Sequence, residues 1–132
     1  MPAPPPLWVQ VTNKRKWASV PGTHEGGPDG MDFDCEGTVC CSVCHHGTAR
    51  LNFVLCATGN LLVANWGGGH LEVYDPSGKH IQRIKCPFKN PSNLHFKPDT
   101  TTVYVTEHEF HAVWSFEWQR KGQPQYCDSA SS

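Results

Sequence analysis

The sequence predicts an all-β fold, and three observations carry that prediction. Helical periodicity is almost absent from its 132 residues, while short alternating or apolar runs recur as "MDFD", "NLLVANW", "LEVYD", "NLHF", "TVYVTE" and "VWSFEW". Turn signals such as "DPSGK" and "KPDT" separate these runs. The third observation is that the runs repeat at a fixed interval.

Shifting the chain by 42 positions lays Leu61-Leu62-Val63-Ala64-Asn65-Trp66 on Val103-Tyr104-Val105-Thr106-Glu107-His108. The same shift lays Leu71, Val73, Tyr74 and Asp75 on Val113, Ser115, Phe116 and Glu117, so apolar positions stay apolar and acids stay acidic. That period is the length of a propeller blade. A further pair, "PDGMDFD" at 28–34 and "PSNLHFK" at 91–97, shares Pro, an apolar residue and Phe, but at an offset of 63. About 21 extra residues therefore separate the first two strands of the first copy. The stretch at about 37–58, "GTVCCSVCHHGTARLNFVLCAT", differs in composition from its surroundings and reads as an inserted loop without structure of its own.

The expected organisation is a Pro-rich arm at 1–12, one domain at 13–128 interrupted by the insertion, and a loose tail at 129–132. Lys and Arg number 11 against 12 Asp and Glu, a formal charge of −1, which recommends neither nucleic acid nor an anionic membrane as partner. No apolar run is long enough for a membrane span and no secretory signal opens the sequence, so the expected compartment is cytoplasmic. Seven cysteines, an odd number without an export signal, argue against a complete disulfide framework.

Candidate chemistry begins with Asp29 and Asp32 at the start of the first strand of a blade. First strands line the central channel of a propeller, although Asp29 also suits an Asp-Gly turn. Asp32 and His95 hold equivalent places in the two copies. Such groups from adjacent blades can approach one ion, or simply hydrogen-bond to each other. His108 is equivalent to Trp66, which puts both at one level of neighbouring blades; a histidine there can move protons or merely fill the core. Cys41-Ser42-Val43-Cys44-His45 matches C-x-x-C-H, and Cys40, His46 and Cys56 add soft ligands, but a second ligand pair at zinc spacing is lacking. Cys35, Cys86 and Cys127 read as single thiols. His24 and Glu25 in "HEGG" lack the second histidine of a zinc motif, and Trp114 and Trp118 read as packing between layers.

The stretches "PGTHEGGPDGMDFD", "GNLLVANWGGGHLEVYDPSGK", "KCPFKNPSNLHFKPDT" and "VYVTEHEFHAVWSFEWQRKGQPQYCD" closely resemble the gluconolactonase-like, six-bladed propeller family of calcium-dependent organophosphate hydrolases. The resemblance runs from about Asn13 to Asp128 and implies a partial β-propeller, about two of six blades. It implies that Asp29 is the catalytic aspartate, touching the catalytic calcium and attacking phosphorus directly or through activated water. It further implies that Asp32, the Leu94 carbonyl and His95 bind a second calcium, and that His108 floors a substrate pocket to which Trp66, Ser92 and Asn93 belong. The expected whole is a fragment of a hydrolase of phosphotriester or P–F bonds in small esters or organophosphates. Calcium takes six to eight oxygen ligands, so both sites would be incomplete and the isolated chain inactive. The alternatives are a propeller-type binding module without catalysis or a truncated gene product. Open blade edges would favour self-association.

Overall fold

A computed structural model describes residues 12–36 and 57–125. It is all-β, as expected: seven strands, β1 (Gly27–Glu36), β2 (Ala57–Trp66), β3 (His70–Tyr74), β4 (His80–Lys85), β5 (Pro91–Phe96), β6 (Thr102–Glu107) and β7 (Val113–Glu117). They form two antiparallel meanders in chain order, β1-β2-β3-β4 and β5-β6-β7, the layout of two propeller blades. The registers coincide at the offsets of the repeat: Met31, Asp32 and Phe33 face Val63, Leu62 and Leu61, just as Leu94, His95 and Phe96 face Val105, Tyr104 and Val103. Residues 37–56, where most of the expected insertion and the C-x-x-C-H motif fall, lie outside the described residues. Ala57 and Thr58, the end of that stretch, are already in β2, opposite Glu36 and Cys35.

The hairpins close where the turn residues predict. Asp75 accepts at one carboxylate oxygen from the Ser77 and Lys79 backbone N–H, and Gly78 supplies a φ of 87°. Lys97 and Thr102 are bridged in the "KPDT" turn, where Asp99 takes a φ of 57°.

One core joins the sheets. Leu62, Ala64, Leu71 and Val73 from the first pack on Leu94, Phe96, Val103 and Val105 from the second, with Phe88 and Trp118 sealing the margins. The other face of the first sheet buries Leu61, Val63 and Tyr74 under Ala18 and Val20 of the preceding segment. Tyr74 Oη donates to the Ser19 carbonyl, and Asn65 Nδ2 to that of Pro21, which ties this segment down.

Two buried acids hold the frame. Glu72, wholly buried, accepts from Asn65 Nδ2 and Arg83 Nε and lies 2.6 Å from His80 Nε2. Burial alone would raise its pKa, but Arg83, Asn65 and His80 together hold it below its ordinary value. Asp34 accepts from the Trp118 indole at 2.8 Å and the Asn60 backbone N–H at 2.7 Å. Trp118 is therefore core, as expected, whereas Trp114, expected to pack likewise, is 40% exposed. The chain beyond Trp118 runs back along β1, with Cys35 N–H donating to Lys121 and Gln123 N–H to Phe33. Cys35 is disulfide-bonded, which corrects the reading of it as a single thiol. Cys86 is free and half-buried, and burial pushes its thiol up to about 11. Cys127 lies outside the described residues. Among the described residues, no helix is long and apolar enough to cross a membrane.

Candidate functional site

The first strands of both sheets and the ends of β2 and β6 meet at one end of the sheet pair. There the β1–β2 ladder slips between Pro28 and Met31, and the β5–β6 ladder slips at the equivalent Pro91–Asn93. These bulges re-aim the residues between them. Asp29 sits exposed in the first bulge. Beside it, a Cβ at Gly30 would overlap the Asn93 side chain, so the glycine is what lets β1 approach β5.

Asp32 and His95 come together as the repeat predicts. Asp32 is 8% exposed, and its Oδ2 lies 3.0 Å from His95 Nδ1 while accepting the Phe96 backbone N–H at 3.1 Å. The other oxygen, Oδ1, accepts from Phe33 N–H at 2.9 Å and Gln125 Nε2 at 3.3 Å. Asp32 thus caps the inner edge of the neighbouring sheet. His95 remains open to solvent, with 58% of its side chain exposed.

Of the residues expected around the pocket, Trp66 and His108 meet. Trp66 Nε1 donates to His108 Nδ1 at 3.3 Å across the two blades, which leaves the imidazole proton on Nε2. Gly26 gives Trp66 room, since a Cβ there would overlap the indole and the Trp66 carbonyl. Ser92, nearly buried, shares a hydrogen bond of 2.9 Å with Thr106, and Asn93 folds back to accept the Leu94 N–H. His24, from the "HEGG" loop, bonds to Asn65 Oδ1 at 2.9 Å. It braces β2 and touches no candidate metal position.

Calcium fits these residues only in part. A carboxylate, a main-chain carbonyl and an imidazole amount to three donors against the six to eight oxygens the ion takes. Both Asp32 oxygens are also occupied by protein donors. Among the described residues, no three His, Cys, Asp or Glu side chains converge as a metal would require.

Three residues of consequence escaped the sequence reading: Asp34, Glu72 and Glu107. Alternation places Asp34 and Glu72 in water, whereas Glu107 falls on the face of Val103 and Val105 and only its charge argues for solvent. The one sequence signal for Glu72 is the basic Arg83 that faces it in register. Glu107 occupies the repeat position of Asn65, the polar residue preceding Trp66.

Residues 53–109 match a family model, the SMP-30/gluconolactonase/LRE-like region. Over 122 residues the chain is 50% identical to the diisopropyl-fluorophosphatase of Loligo vulgaris, covering 92% of this chain and 32% of that protein. The chain thus spans about a third of the length of this relative. The match extends the likeness from single motifs to most of the chain, which is similar to the gluconolactonase-like family over that length.

Proposed function

We propose that the chain supplies two adjacent blades of a calcium-dependent hydrolase of the diisopropyl-fluorophosphatase type, acting on P–F or phosphotriester bonds of small organophosphates or related esters. Asp29, Asp32, the Leu94 carbonyl and His95 are its share of the metal-binding lining, and Trp66, Ser92, Asn93 and His108 its share of the pocket. The observation that supports this most is the Asp32–His95 approach, at 3.0 Å between first strands of different sheets. Three donors do not satisfy calcium, so the isolated chain is expected to be inactive.

The test grafts residues 13–125 in place of the corresponding third of the Loligo vulgaris diisopropyl-fluorophosphatase. Calcium-dependent fluoride release by the chimera, abolished by Asp29→Asn, is the expected result, with none from the isolated chain. A folded chimera that binds calcium yet releases no fluoride contradicts the proposal.

A second reading, a binding module with a vestigial channel, draws on the full engagement of both Asp32 oxygens by protein donors. It predicts that the chimera shows no calcium heat in calorimetric titration.

A further inference from the structure

We infer that Glu107 is a positioning residue for His108: its carboxylate builds the 108–112 loop and thereby fixes the imidazole that accepts the Trp66 indole N–H. Glu107 ends β6 and is 3% exposed. Its oxygens accept from Glu109 N–H at 2.6 Å, from Phe110 N–H at 2.9 and 3.1 Å, and from Ala112 N–H at 2.8 Å. One side chain therefore satisfies three backbone donors of the loop that follows it.

The need for such a carboxylate follows from the loop's composition. The equivalent turn after Trp66 is Gly67-Gly68-Gly69, in which Gly67 and Gly69 take φ of 82° and 69° at no steric cost. The loop after Glu107 is His108-Glu109-Phe110-His111-Ala112 and holds no glycine. His111 nevertheless takes a φ of 55°. A side chain bearing a Cβ keeps that conformation only where its surroundings determine it. Both neighbours of His111, Phe110 and Ala112, donate to Glu107. Its repeat counterpart Asn65 turns its side chain elsewhere, to Pro21, His24 and Glu72.

The fixed loop is tied to the connection before β5 at two points. His108 N–H donates to the Asn90 carbonyl at 3.0 Å, and Lys89 N–H donates to Glu109 Oε2. The backbone on either side of His108 is thus held, and the ring is aimed at Trp66.

This inference rests on the proposed reading only for the purpose His108 serves. Its test reads the ring itself, so failure here leaves the hydrolase proposal intact, and an inactive chimera leaves this inference intact. Nitrogen-15 NMR of the full chain is expected to show an acceptor-type Nδ1 signal for His108 and a protected Trp66 indole proton. In Glu107→Gln, that proton is expected to exchange about tenfold faster and the His108 tautomers to mix, while the amides of Val103 and Val105 stay protected. A purely structural role would lower stability and leave both signals of the folded state unchanged, and that result overturns the inference. Phe110→Ala, which removes an exposed ring and keeps the carboxylate, is expected to match the unmodified chain. Should Glu107→Gln fail to fold, the amides of Glu109, Phe110 and Ala112 in the unmodified chain decide. Protection supports the inference, and exchange at the rate of an open loop refutes it.

Discussion

In the first sheet the face turned away from the shared core lies under residues 17–24, and Leu61, Val63, Tyr74 and Glu72 are buried there. In the second sheet the face turned away from the shared core carries Asn93, His95, Tyr104, Thr106 and Val113, all exposed, Val113 at 66%. By the 42-residue shift Tyr104 and Thr106 hold the places of Leu62 and Ala64, so the two sheets turn opposite faces to the shared core, and the outward face of the first is covered while that of the second is not. The first sheet is held from both sides, whereas the second is held by the shared core, by Trp118 and by polar contacts at its two ends. Stability is therefore expected to concentrate in the core and the first sheet, while chemistry concentrates where the sheets' inner edges meet.

The strongest way to break the comparison is to remove what both sheets share. Leu62→Ala, at a wholly buried core position, is expected to cost about 2–5 kcal/mol and to unfold both sheets in one transition, measured by urea titration. Two separate transitions would show that the sheets stand independently. Asp34→Ala leaves the Trp118 indole and Asn60 N–H without their acceptor, at an expected cost of about 1–3 kcal/mol, read by the same titration and by Trp118 fluorescence.

Glu72→Gln probes the covered face, with an expected loss of about 1–2 kcal/mol, since Arg83 and His80 are partly open to water. Its pH signature is sharper. The pKa of Glu72 is depressed in the folded chain, so its contribution is complete above its ordinary 4.5 and disappears as pH falls through the lower folded value. Acid titration of the variant should lack that share of the stability loss. At the small end, Val113→Thr on the uncovered face is expected to shift stability by no more than about 0.5 kcal/mol, checked by thermal melting. A loss of several kcal/mol there would mean that this face is covered in solution.

Much of this was legible in the sequence because a period survives substitution. The 42-residue shift pairs β2 with β6 and β3 with β7, and the offset of 63 pairs β1 with β5 and puts Asp32 beside His95 across the sheets. Trp66 and His108 were legible for the same reason. The buried acids were not. Alternation assigns Glu72 to solvent, and only the folding of residues 17–24 over the first sheet buries it, a long-range event that no local pattern records. Asp34 is explained by Trp118, 84 positions away. Glu107 is explained by a glycine-free loop whose strained residue, His111, has no side-chain signature.

Amide hydrogen exchange at Phe96 tests most directly whether the two blades are joined at their inner edges. Its N–H points away from β6 and donates to Asp32 of the other sheet. Slow exchange in the unmodified chain, lost in Asp32→Ala while the Val103 and Val105 amides stay slow, is the predicted result. Rapid exchange at Phe96 in the unmodified chain would contradict the account.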